Sequence, residues 1–246
     1  TAYEIASCLV GSEMCIRDSL KAVRGKPKDL MIDQQVHGFF KTLILSILIV
    51  ISYLFLTSDF TFLEIIRHSV FNVTSILTGT GFTSTNYNNW GTPIILLFLF
   101  ITFVGGCAGS TTCGVKIFRL QIVFSHSREM ISKLISPNRV VNKRYNGEHL
   151  NAEITQSVIT FLFIFILTFI ILSVLLSFTG LDLLTSFSAA ATSISNVGPG
   201  LGQVIGPAYN FYEIPEIAKW LLSFGMLAGR LEFLTLIVIF NKSFWR

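Results

Sequence analysis

Apolar residues along this chain come in blocks, and block length is what first separates them. Phe39–Thr57 is almost unbroken and long enough to cross a bilayer as a single helix. Val158–Phe178 has the same property. A third block starts at Pro93 and stays apolar only to about Val104, where it meets Gly105-Gly106-Cys107-Ala108-Gly109-Ser110-Thr111-Thr112-Cys113-Gly114. The fourth, Ile217–Phe240, has spanning length but carries Arg230 and Glu232. After each of the first two spans comes a moderately apolar, helix-compatible stretch too short to cross, Leu63–Leu77 and Leu183–Ile194. Each ends in small residues, Thr78-Gly79-Thr80-Gly81-Phe82 in one case and Ser195-Asn196-Val197-Gly198-Pro199-Gly200 in the other. The order span, short helix, glycine strand, span therefore occurs twice, although sequence identity between the copies is slight.

Composition agrees with a lipid solvent. Apolar residues make up 52% and charged residues 13%, where soluble domains carry about a quarter charged; the mean hydropathy is +0.67. The net charge of +4 points to membrane sidedness, not to nucleic acid, because the cations cluster beside the spans. Lys21, Arg24, Lys26, Lys28 and Lys41 flank the first span, and Lys116, Arg119, Arg128, Lys133, Arg139, Lys143 and Arg144 fill the stretch between the copies. Ser58–Gly91 holds only Arg67, and Thr179–Glu216 holds no lysine or arginine. The positive-inside rule then puts the linker and both termini in the cytoplasm, and the two short helices dip in from outside. Cys8, Cys15, Cys107 and Cys113 have no metal-ligand spacing. Thr1–Leu20 lacks both a start methionine and the apolar core of a signal peptide, and reads as a non-native or disordered segment.

A glycine strand after a half-crossing helix suits a cation. Glycine permits backbone angles closed to other residues, so successive carbonyls can turn toward one axis and replace the hydration shell of a potassium ion. The negative end of each short helix would point to the same place. A glycine-rich helix end is ordinarily only a C-cap or a packing site. Two such segments, each after a half-length helix and each on the outer side, favour pore loops. The run from Gly105 to Gly114 predicts a broken helix and a flexible loop below the filter, with a resumed helix from Val115. Arg230 would cost roughly 2.5 to 3.5 kcal/mol at a bilayer centre, so it must face protein or water. Glu232 lies on a different helical face, which leaves the carbonyls of the glycine loop as the expected partner. Gly225 and Gly229 are expected to bring the last span close to that loop. Of the remaining candidates, Arg67 and His68 are expected at the outer interface, as are Trp90, Trp220 and Trp245 at interfacial depth. Asp182 reads as a helix cap, and the sequon at Asn72 falls inside a short helix and is discounted. No triad, phosphate loop or dinucleotide fingerprint appears, so no enzyme is expected.

Thr78–Phe82, Gly105–Arg119, Ser195–Gly202 and Ala218–Arg246 resemble the last two repeats of TrkH/TrkG/KtrB-type potassium uptake proteins. The resemblance covers about Ala22–Arg246. It implies an all-α polytopic membrane protein with two M1–pore helix–filter–M2 repeats, half of a four-repeat channel-like fold. The expected division is 1–20 non-native, 21–38 cytoplasmic linker, 39–135 first repeat with a broken second span, 136–153 linker and 154–246 second repeat. It further implies potassium as the transported ion, filter positions Thr78, Gly79, Thr80, Gly81, Asn196, Val197 and Gly198, and an intramembrane gate at Gly105, Gly106, Ala108, Gly109, Ser110, Thr111, Thr112 and Gly114. Arg230 matches the family's gate-facing basic residue. No cofactor is expected in this chain. The implied partners are two further repeats, a second copy in a homodimer, membrane lipids and a TrkA-like cytoplasmic ring that binds NAD or ATP. The implied location is the bacterial inner membrane. The first two repeats have no counterpart here, so a truncated reading frame is expected, with a complete C-terminus. Two other classes stay open: a non-conducting membrane scaffold, and a two-repeat channel that assembles as a dimer.

Overall fold

The computed structural model describes residues 33–107, 110, 112–136, 144–145, 148–149 and 152–231. Two helices within them are long and apolar enough to cross a membrane, α1 (Gln34–Thr57) and, later in the chain, Ala152–Phe178, with mean hydropathies of 2.3 and 3.1. Both begin several residues before their apolar cores. At α1 the reason is Asp33, whose carboxylate accepts from the Gln35 N–H at 2.8 Å and satisfies one orphan donor of the first turn. Ser58 ends it, turning its own N–H and hydroxyl back onto the Leu54 carbonyl.

The half-length helix α2 (Phe62–Leu77) starts at Thr61, whose N–H and hydroxyl both donate to the Glu64 carboxylate. Those two bonds hold the Glu64 carboxyl below its ordinary range. A 3-10 turn (Tyr87–Trp90) leads to α3 (Thr92–Phe103), which has proline in its first turn, where the lost N–H costs nothing. Twelve residues give about 18 Å of helix, so α3 stops partway across. The helix resumes as α4 (Ile117–Ile135). The two-residue strands β1 (Arg144–Tyr145) and β2 (Glu148–His149) pair antiparallel. The second copy is α5 (Ala152–Phe178), the half-length α6 (Leu183–Ser195) and α7 (Glu216–Arg230). The Asp182 carboxylate caps α6 through the Thr185 N–H.

The described helix α7 stops at Arg230, with Leu231 in a bend, and the rest of the apolar stretch Ile217–Phe240 lies outside the described residues. Glu232 and Trp245 lie outside the described residues.

Each copy has its own apolar core, and each core takes residues from the other copy. Val197 and Leu201 pack among Val73, Leu77, Tyr87 and Phe98 of the first copy. Val115 packs among Phe161, Phe165, Ala190 and Ile194 of the second. Phe103 seals the same seam edge-on against Phe165 and Phe169. Outward faces of α1 and α5 remain apolar and exposed, as at Leu48, Leu56, Phe163 and Phe178. That pattern suits a lipid-facing wall.

Candidate functional site

The C-terminal ends of α2 and α6 meet. Past α2, Gly79 and Gly81 take positive φ, +70° and +75°, which an L side chain reaches only with strain. The turn is tied to its own helix: the Gly79 N–H bonds the Ile76 carbonyl at 3.1 Å, and the Thr80 N–H bonds that of Ser75 at 3.0 Å. The Thr78 hydroxyl donates to the Thr74 carbonyl at 2.7 Å. At the end of α6, Asn196 is left-handed at φ 52°, the one non-glycine residue with positive φ among the described residues. Gly198 follows at φ +110°, and its N–H donates to the Thr192 hydroxyl at 2.9 Å.

The two turns touch at one place. A Cβ built on Gly81 would run into the Val197 carbonyl oxygen and reach the Pro199 ring at 3.0 Å. Only glycine allows this approach. At Gly198, by contrast, an added Cβ meets nothing within 4 Å, and Thr80, Phe82 and Gly198 all stay exposed. One side of each strand is therefore packed against the other, and the opposite side is open.

Below these turns the chain crosses the α3–α4 break. Backbone at that depth needs partners, and the ends of the loop supply them. Val104 and Val115 form a parallel bridge. The Gly105 N–H donates to Val115 at 2.9 Å, the Val115 N–H to Phe103 at 2.9 Å and the Ile117 N–H to Gly106 at 3.2 Å. Inside the loop the Thr112 hydroxyl accepts from the Gly106 N–H at 2.9 Å, and Ser110 and Thr112 share a 2.6 Å hydroxyl contact. Gly114 turns with φ +84°. Ala108, Gly109 and Thr111 lie outside the described residues. The loop sits under the first turn, since an added Cβ at Gly79 would be 3.5 Å from the Thr112 methyl.

Arg230 reaches this loop, where a guanidinium N–H points to Cys113 Sγ at 3.9 Å. The two line a cavity of about 280 Å³ with Ser110, Thr112, Lys116 and Arg119. The Arg119 guanidinium is buried there over the face of Phe161, 3.7 Å from the ring centre.

Three expectations need correction. Gly225 and Gly229 bring α7 closest to α6, and Gly229 also borders the cavity lined by the loop residues Ser110, Thr112, Cys113 and Gly114. A Cβ at Gly225 would lie 2.6 Å from Ser193 Oγ, and one at Gly229 would overlap the Ile194 carbonyl. Ser193 is small and the contact at Ile194 is with backbone, so α7 can approach α6 closely there. His68 is not at an open interface. It is buried and meets the Ser84 hydroxyl at 2.9 Å, while the Asn72 carboxamide donates to that hydroxyl and accepts from the Ser84 N–H, both at 3.0 Å. Trp90 is buried against Tyr87 and Phe98, because the outer segment folds back onto α3; Trp220 is exposed.

Sequence reasoning missed the clasp between the copies. The Asn88 carboxamide donates to the Gly202 carbonyl at 2.7 Å and accepts from the Gly202 N–H at 3.3 Å, and the Thr83 hydroxyl donates to Pro207. The polar run Thr83–Asn89, in a chain this apolar, was the available signal.

Two half-length helices whose left-handed ends meet above a broken helix define a re-entrant pore-loop membrane protein. A family model described as TrkH, cation transport protein, matches residues 41–246. The chain belongs to this family of cation transport proteins. It is 44% identical over 227 residues to the Trk system potassium uptake protein TrkI of Halomonas elongata, covering 92% of this chain and 46% of that protein. Against TrkH of Escherichia coli strain K12 it is 36% identical over 181 residues, 74% of this chain and 37% of that one. The crystal structure of the potassium transporter TrkH from Vibrio parahaemolyticus superimposes with a TM-score of 0.80 at 32% identity, over 87% of this chain and 45% of that one. The chain thus spans about half the length of the relatives it matches.

Proposed function

We propose that this chain forms two of the four repeats around a potassium uptake pore in a bacterial inner membrane. The observation that carries the reading is the meeting of Gly81 with the Val197 peptide, while the opposite faces of both strands stay open. Main-chain oxygens of Thr78, Gly79, Thr80 and Gly81, and of Asn196, Val197 and Gly198, would meet a dehydrated potassium ion where the two turns come together. The negative ends of α2 and α6 favour the same cation. Potassium is cargo, not a resident cofactor. The loop from Gly105 to Gly114 obstructs the path beneath the filter, with Arg230 as its latch. Basic residues on α4 and around the start of α1 support a cytoplasmic side for those ends and for the C-terminus. Two further repeats complete the filter; a second copy and a TrkA-like nucleotide-binding ring complete the assembly.

The test is a fusion of this chain to the N-terminal half of the Halomonas elongata TrkI protein, expressed in a bacterium without its own potassium uptake. Growth at low potassium and rubidium uptake are expected to return. Gly81→Ser or Gly198→Ser should lower potassium-over-sodium preference about tenfold, since each displaces carbonyl oxygens. A fusion that reaches the membrane and carries no ion, or serine variants with unaltered preference, would sink the proposal.

A further inference from the structure

Asn196 stands at a junction that a filter strand alone does not require. Its backbone turns left-handed to release the chain from α6, which asparagine tolerates better than most residues. Glycine would do that at least as well. The side chain is used for something else: its carboxamide N–H donates to the Met226 carbonyl on α7 at 3.0 Å and to Cys113 Sγ in the glycine loop at 3.4 Å. Cys113 in turn receives the Arg230 contact at 3.9 Å, and Arg230 lies four residues beyond Met226 on the same helix. One amide group therefore joins the start of the second strand, the loop below it and the last turns of α7. The neighbouring loop residue, Thr112, lies under Gly79 of the first strand.

We propose that Asn196 is a positioning residue that couples loop to filter. The loop cannot move away from this junction without breaking the Asn196 bond to Cys113, and breaking it leaves the carboxamide at the start of the second strand held by Met226 alone. This rests on the pore reading above, so the experiment has one arm that needs no conduction.

In the full chain with Cys8, Cys15 and Cys107 replaced by serine, Cys113 is the sole thiol, and its rate of reaction with a membrane-permeant maleimide is measured in nanodiscs. Asn196→Gly keeps the left-handed backbone and removes both bonds. Asn196→Asp keeps the volume and removes the donor. Each is expected to speed the reaction about fivefold or more, the scale of one net hydrogen bond, without a matching fall in melting temperature. Unchanged rates in both variants would overturn the proposal. So would rates that rise only in step with lost thermal stability, because Asn196 would then be a helix cap and nothing more. In the TrkI fusion, Asn196→Gly is expected to raise basal rubidium uptake and lower potassium-over-sodium preference together; a change in one without the other also overturns it. If the parent fusion carries no ion, the pore reading fails and the thiol rates still decide the coupling.

Discussion

The two copies of the pore-loop unit solve the same problem by different means. The first turn is held by its own segment: Thr78, Gly79 and Thr80 bond back onto α2, and His68 and Asn72 on α2 grip Ser84 just beyond the strand. The second is held largely by its neighbours. Thr192 secures Gly198 locally, but Ser193 donates to Leu222 on α7 and Asn196 reaches both α7 and the glycine loop. Helix α6 is accordingly buried on nearly every side, while α2 keeps an exposed flank with Leu63, Val70 and Phe71. A strand held locally can keep its shape while its surroundings move. A strand held by neighbours moves with them.

The severest way to break this contrast is Gly229→Val. Its Cβ would overlap the Ile194 carbonyl, and backbone cannot step aside as a flexible side chain can, so α6 and α7 must separate. A loss at the top of the overpacking range, about 3 kcal/mol, is expected from unfolding in nanodiscs. Alanine at the two strand glycines gives the next effect. Both positions carry the strain of positive φ, about 1 to 2 kcal/mol, but only Gly81→Ala adds a collision with Val197. Gly81→Ala should therefore unfold at a clearly lower temperature than Gly198→Ala; equal losses would mean that the strands do not touch. Behind the strands, Asn72→Ala removes a fully buried partner with bonds to Ser84, and about 1 to 3 kcal/mol is expected. Thr192→Val, which removes one bond, should cost about 1 kcal/mol in the same assay. An effect of the same size falls on the clasp. Asn88→Ala gives up two bonds to Gly202 at a partly exposed site, for about 1 kcal/mol of stability. Disulfide trapping between cysteines placed at Thr83 and Pro207 should become less efficient in that variant.

The order of parts was legible because solvent dictates it. A run of about twenty apolar residues can be one thing in a bilayer, and a glycine strand after a half-length helix has few stable uses there. The helical, doubled pore-loop architecture of the membrane segments follows from spacing and composition, while the short β1–β2 pairing does not. The local devices were legible for a related reason: the Asp182 cap depends on residues adjacent in the chain.

What lay beyond the sequence were the choices among equally small or equally polar partners. The spacing of Gly225 and Gly229 announced a close neighbour, and the Ser193–Ile194 surface of α6 supplied the nearest one. His68 and Trp90 have polar groups that suit an interface as well as a satisfied interior, and the fold of Thr83–Trp90 back onto α2 and α3 took them inside. Asn196 could be recognised as a residue that tolerates a left-handed turn, yet its second use depends on Met226 and Cys113, thirty and eighty-three positions away. Periodicity and hydropathy act over a few residues at a time, so the sequence determined which segments enter the membrane and how far. Which small faces meet, and which amide joins the strand to the loop, depends on contacts between distant segments, and only the folded chain decided them.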